Sequence, residues 1–385
     1  MKTEVLYYNN INEYEFDATV LESTEKDGLF YSILDKTAFY PEGGGMSNDI
    51  GTINGIQVEH VMKKDDEIYH VTSQKLEDDV HGIVDMHNRT IMIQGHDSQH
   101  LLTALLELDY GFNTISHHVH DNYYDIVLEG DNLTPQIIEQ ISAKANQLII
   151  DDAVMEIFYI DKTELGKYGL KDNPKYTNPV RITNIVALND YNACGCLHFE
   201  SLKKIQSLVI LDYENTSKGY KLTYTCGLAL VDYFSKMNEN MKQVYALTKS
   251  NEDNLIKNIN TIYDKNKELT DEYNIMKTNY YDLAIEKLLK DKDEFVIFDS
   301  VSNSKDLKNI SAKIAKQDYN VSALIQAKNH DNYQFVLVKS STSDLDIVKV
   351  FNQLKNDFDI RGGGKGQSIS GKSDIDVSKI IKNYL

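Results

Sequence analysis

Cysteine is scarce in this 385-residue chain, with three residues, two of them in the tripeptide Cys194-Gly195-Cys196. Three thiols do not make a disulfide framework, and the reading is a reducing compartment in which a thiolate serves a metal. Cys226, inside an apolar strand-like run, reads as a core residue. No apolar run approaches the roughly 20 residues needed to cross a bilayer, and the opening MKTEVLYYNN lacks the apolar stretch of a signal peptide. A cytoplasmic protein without a membrane partner is the expectation. Arginine is nearly missing: among 40 basic residues only Arg89, Arg181 and Arg361 carry a guanidinium. Proline numbers four, and none follows Pro179.

The excess of acid excludes simple electrostatic binding of nucleic acid, because phosphate affinity rests on Lys and Arg and the formal net charge is −19. The imbalance is uneven. Through Ser235 the chain carries 17 basic and 37 acidic side chains, and beyond it 23 and 22. RNA would have to be held by a few placed basic groups or by the C-terminal part. Each of the three arginines offers a planar fork for phosphate or carboxylate that Lys cannot copy, and each reads equally as a structural ion pair.

Against these absences stand two short segments, His96-Asp97-Ser98-Gln99-His100 and Cys194-Gly195-Cys196-Leu197-His198. On a helix, residues four apart share a face, so His96 and His100 grip one ion while Cys194 and His198 add a thiolate and a third imidazole. The set reads as one tetrahedral Zn2+ site. Gln99 points away from the ligands and is a candidate for contact with substrate or water. His117-His118-Val119-His120 forms a rival metal set, since His118 and His120 share a strand face. His118 is read instead as a substrate or RNA contact. The remaining histidines, among them His60, His70, His81, His87 and His330, lack ligand spacing and read as surface residues.

The same segments carry a family likeness. Gln94 to Leu105 (QGHDSQHLLTAL), preceded by Arg89, resembles the zinc-helix motif of the alanyl-tRNA editing proteins, free-standing relatives of the alanyl-tRNA synthetase editing domain. CGCLH, with Val180-Arg181-Ile182 upstream, resembles that family's second zinc motif, usually CGGTH. Thr37 to Thr52 (TAFYPEGGGMSNDIGT) is similar to its glycine-rich motif, in which Gln more often stands at the position of Met46. Arg361 to Gly371 (RGGGKGQSISG) resembles a degenerate glycine motif of the DHH-associated domain. The four matches come in the family's order, with departures at Met46, Cys196 and Leu197.

Periodicity gives the organisation. Turn-punctuated alternation over residues 1–88 predicts a small β-barrel carrying the glycine-rich motif. Residues 89–234 predict an α+β zinc domain: a helix from about Thr90 to Leu108, strands at Thr114–His118 and Tyr123–Leu128, a helix Thr134–Ile150, and strands at Val154–Tyr159 and Val180–Leu188. Residues 235–290 predict a helical coiled-coil segment, because apolar positions from Leu255 to Leu283 alternate steps of four and three with Asn266 at an a position. Pairing is expected within the chain or between two copies, as a homodimer through this helix or the C-terminal domain. Residues 291–385 alternate strand and helix, as an α/β DHH-associated domain would. There a glycine loop, flanked by Arg361, Lys365 and Lys372, suits a phosphate cradle.

What the resemblance implies is ATP-independent hydrolysis of serine, and of glycine, from mischarged tRNA(Ala), sparing Ala-tRNA(Ala). A pocket sized for alanine cannot exclude glycine and discriminates weakly against one added hydroxyl, so a second site must correct the product. It gives Thr37 the role of rewarding the serine hydroxyl. Gly43, Gly44 and Gly45 would let backbone N–H groups approach substrate, with Arg89, Arg181, Arg361 and Lys365 as contacts. Four firm ligands make the metal structural, and a loose one admits water. A non-catalytic tRNA-binding protein with structural zinc is the alternative, and a hydrolase of small esters or amides a third reading.

Overall fold

The computed structural model describes residues 3–64, 66–174, 176–290, 293–329 and 332–385. His330 lies outside them. The chain divides into two compact units, Met1–Val244 and Tyr245–Leu385.

The first unit begins with a closed barrel of six strands: β1 (Glu15–Lys26), β2 (Leu29–Leu34), β3 (Gly51–Ile53), β4 (Ile56–Lys64), β5 (Glu67–Thr72) and β6 (Asp79–Val84). Its order is β1-β2-β5-β4-β3-β6, with β6 pairing back on β1. Asp27-Gly28 and Asn54-Gly55, all at positive φ, make the two-residue turns β1–β2 and β3–β4, the geometry that matches strand twist. Inward residues such as Phe16, Leu34, Ile53, Val58, Val61 and Ile68 fill the interior.

Helix α1 (Met86–Tyr110) follows, capped by the Asp85 carboxylate and ended by Gly111 in the left-handed region. Strands β7 (Asn113–Val119), β8 (Tyr124–Glu129), β12 (Leu208–Thr216) and β13 (Gly219–Cys226) form an antiparallel sheet of order β12-β13-β8-β7. On it lie α1 and α2 (Pro135–Ile150), the latter capped by Thr134. Leu101, Leu102, Leu105, Ile141, Ala145, Ile126, Leu128, Leu222 and Tyr224 make the shared core. A second antiparallel sheet, β9 (Met155–Ile160), β10 (Val180–Ile185) and β11 (Asp190–Ala193), delivers the CGCLH segment at its end. Helix α3 (Gly227–Thr248) follows β13.

In the second unit, α4 (Leu255–Leu289) leads to a five-stranded sheet: β14 (Phe295–Val301), β15 (Ser322–Asn329), β16 (Asn332–Lys339), β17 (Ile360–Lys365) and β18 (Ser368–Ser373), ordered β14-β15-β16-β18-β17. Helix α5 (Ser304–Ala315) covers one face through Leu307, Ile310 and Ile314, joined by Tyr281, Ile285 and Leu289 of α4. Helix α6 (Ile347–Asp357) covers the other through Val350, Phe351 and Leu354. Only β14 and β15 run parallel, so this domain is α+β rather than the α/β expected from its alternation. The glycine segment read as a loop is strand β17, because hydrogen-bonding to β18 overrides glycine's poor strand propensity. The α4 seam stands open: Ile259, Ile262, Leu269, Tyr273, Met276, Tyr280 and Leu283 are exposed. No helix among the described residues is long and apolar enough to cross a membrane.

Candidate metal centre

Two positions on α1 and two in the loop after β11 converge. The ligand atoms of His96, His100, Cys194 and His198 lie within 4.8 Å of one another, the only group of metal-ligand type found among the described residues. His96 Nε2 stands 3.3 Å from His100 Nε2 and 3.2 Å from Cys194 Sγ. A tetrahedral ion with nitrogen bonds near 2.05 Å sets neighbouring nitrogens about 3.3 Å apart, so the imidazole edge has the size zinc requires. Burial pushes His96, His100 and His198 down to about 3, which keeps the rings neutral and their lone pairs available.

Asp97, between the two helical ligands in sequence, turns the opposite way and is fully buried. Its Oδ1 accepts from His198 Nδ1 at 2.7 Å and its Oδ2 from the Phe199 N–H at 3.0 Å. That bond fixes the proton on Nδ1 and leaves His198 Nε2 bare, buried and without a hydrogen-bond partner, aimed into the ligand set. Burial raises the Asp97 carboxyl well above the usual range, and a cation across the His198 ring offsets that penalty. The residues therefore fit a divalent metal of nitrogen and sulfur preference.

Contact between the two thiols pushes Cys194 up and Cys196 down. A cation among the imidazoles would draw the thiolate charge to Cys194, whose Sγ belongs to the set. Cys196 has another task. It is buried under the glycine turn, its Sγ 3.4 Å from Gly44 O, and a Cβ on Gly44 would come within 2.5 Å of it. Arg181 holds the same loop by donating to Cys194 O at 3.0 Å and Cys196 O at 2.7 Å, while its guanidinium lies over the Tyr8 ring.

The glycine turn closes on itself through Gly43 and Met46, with Gly44 and Gly45 at positive φ. It thus reaches the metal loop through Cys196. Other expected residues sit elsewhere. Arg89 is fully buried, paired with Asp49 and donating to Ile11 O, Glu13 O and Ala38 O, so it staples α1 to the barrel and does not face a substrate. Thr37 is buried in the barrel, 2.8 Å from His70 Nε2. His70, read as a surface residue, is fully buried there because Ser32 O and Thr37 satisfy both ring nitrogens. Gln99 donates to Thr103 Oγ1. His118 and His120 share the Asp125 carboxylate at 2.7 and 2.6 Å, which dissolves the rival metal set. Arg361 and Lys365 are exposed on β17 in the second unit. Asp97 was missed as a partner of the ligand set, because an Asp between two spaced histidines reads as helix surface.

No protein-family model matches the chain. Over 399 residues it is 25% identical to the alanyl-tRNA editing protein AlaX-L of Pyrococcus horikoshii, covering 98% of this chain and 96% of that protein. The chain is thus similar to the AlaX editing proteins over nearly its whole length. The likeness extends to the alanine–tRNA ligase of Methanococcus maripaludis strain C7, 25% identical across 100% of this chain but only 43% of the ligase. Among solved structures, the C-Ala domain of Aquifex aeolicus alanyl-tRNA synthetase is 17% identical over 21% of this chain and 73% of that domain, with a TM-score of 0.19, too slight a likeness to bear on the fold. The AlaX likeness covers the zinc-type ligands and the glycine turn alike.

Proposed function

We propose that the chain is a trans-acting, zinc-dependent aminoacyl-tRNA hydrolase that removes serine and glycine from mischarged tRNA(Ala) and spares Ala-tRNA(Ala). The observation that carries the reading is the convergence of His96, His100, Cys194 and His198 beside the glycine turn, in a chain similar from end to end to an alanyl-tRNA editing protein. A bound Zn2+ would supply Lewis acidity toward the ester carbonyl. An aminoacyl ester is already activated, so orienting it and a water supplies much of the remaining barrier reduction. Gly44 and Gly45 suit close approach of backbone N–H groups to the developing oxyanion, the Gly43 N–H being spent on Met46 O.

Thr37 suits the reading of serine through its lone pairs. His70 Nδ1 faces Ser32 O at 3.3 Å and so bears the ring proton, which leaves Nε2 to accept from the Thr37 hydroxyl. One Thr37 lone pair takes the Phe39 N–H at 3.1 Å and the other is free, but the side chain is fully buried, so its role in reading a serine hydroxyl rests on the family resemblance. Arg361 and Lys365, exposed and unburdened by core packing, suit phosphate contacts along tRNA. The open α4 seam with Asn266 at an a position supports pairing with a second copy, and Asn266→Leu in ultracentrifugation tests it by a shift in oligomeric state.

The deciding experiment is the deacylation rate of Ser-tRNA(Ala) against Ala-tRNA(Ala) by metal-loaded protein. Rapid loss of serine with alanine spared supports the hydrolase. One observation favours a second reading: four protein donors complete a tetrahedron, as in structural sites. Full zinc content with neither ester lost would establish a tRNA-binding protein stapled by its metal.

A further inference from the structure

His117 is the half-buried member of the His117-His118-Val119-His120 run. Strand alternation decides its direction. It pairs with Ile126 on the α1 side of the sheet, whereas His118 pairs with Asp125 on the other. Three contacts locate the ring. A Cβ on Gly45 would stand 3.9 Å from His117 Nδ1, so this nitrogen faces the glycine turn. His117 Nε2 lies 3.3 Å from the Tyr224 hydroxyl. That hydroxyl in turn lies 3.1 Å from Gly95 O, the carbonyl of the residue before His96.

These contacts fix the tautomer. Two oxygens 3.1 Å apart need a proton between them, and only the Tyr224 phenol supplies one, so Tyr224 donates to Gly95 O. Its oxygen then accepts from His117 Nε2–H. The other nitrogen, Nδ1, therefore carries a bare lone pair, makes no hydrogen bond among the described residues, and points at the glycine turn. Tyr124 stacks on the ring at 6.2 Å between centroids and 17° between planes, and Tyr224 stacks on Tyr124, so the orientation is held by packed aromatic layers.

We propose that His117 is the proton acceptor of the deacylation site and that Tyr224 is the residue that positions it. This inference rests on the hydrolase reading above. Water adds its oxygen to the ester carbonyl carbon as His117 Nδ1 takes one of its protons, and the carbonyl π pair moves to oxygen. When the tetrahedral species collapses, the bond to the ribose oxygen breaks and Nδ1 returns the proton to that oxygen. The products are free serine and tRNA with its hydroxyl restored, and His117 ends as it began.

The test is single-turnover deacylation of Ser-tRNA(Ala) by metal-loaded full-length protein, with zinc content measured on each variant. His117→Ala should lower the rate by about 10²-fold or more with zinc content unchanged, and added imidazole should restore part of it. Tyr224→Phe should lower it by a smaller factor, about tenfold. A second reading needs no activity: nitrogen NMR shifts of labelled histidine should show His117 as the Nε2–H tautomer in wild type and as a mixture in Tyr224→Phe. An Nδ1–H tautomer in wild type overturns the proposal, as does an active His117→Ala or a loss that follows zinc content and ignores imidazole. Wild type that fails to deacylate overturns the hydrolase reading itself, a result distinct from failure of the variant alone.

Discussion

The chain contains two runs of three glycines, Gly43 to Gly45 and Gly362 to Gly364, and the fold uses them in opposite ways. The first is a turn with two left-handed residues, pressed against Cys196 and held beside the metal ligands. The second is an exposed edge strand paired with β18 and flanked by Arg361 and Lys365. Composition is the same in both. What differs is whether the missing side chains let the backbone bend or let something approach a flat strand, and only the neighbours decide that. Two of the arginines divide likewise: Arg89 is locked inside with Asp49, and Arg361 stands in solvent beside Asp359.

The sharpest way to break this contrast is to exchange the fates of those arginines. Arg89→Ala leaves the Asp49 carboxylate buried and unpaired and removes donors from three carbonyls, so unfolding should become easier by about 3–5 kcal/mol in denaturant titration. Arg361→Ala should leave the unfolding midpoint where it is. Next in size, Gly44→Ala combines positive φ with a Cβ 2.5 Å from Cys196 Sγ, and deacylation should fall by about 10²-fold. Gly363→Ala meets nothing within 4 Å and should leave the deacylation rate at wild type, since it serves the other unit. If both substitutions were silent, the turn would not be part of the site.

Smaller effects sharpen the comparison further. Asp97→Asn keeps the shape but removes the charge that orients His198, and zinc affinity in a chelator competition should drop about 10–100-fold. Lys365→Ala should weaken tRNA binding uniformly across sequences and reduce the salt-dependence slope by about 1, with the deacylation rate of bound substrate unchanged.

The cluster that could hold a metal was legible from sequence because ligand chemistry fixes residue type and spacing together, and helix periodicity puts His96 and His100 on one face without help from the rest of the chain. Barrel, zinc helix and second helix were legible for the same local reason. Arg89 was not, since its partners are backbone carbonyls and a carboxylate at least 40 residues away in sequence. His117 and His118 are indistinguishable until pairing with β8 sets the register. The glycine run of β17 looked like a loop because propensity is local, whereas its strand identity comes wholly from β18 and the core residues Ile360 and Ile369 beneath it.

Gly95 carries a consequence for how finely the site is set. A Cβ there would lie 2.2 Å from the Tyr124 ring, so α1 can rest this closely on the sheet only with glycine at this position. The helix brings two metal donors and the sheet brings His117, and a missing methyl group is the shim that gauges the gap between them. Gly95→Ala would act as a spacer, lifting one half of the machinery off the other without touching any residue that does chemistry.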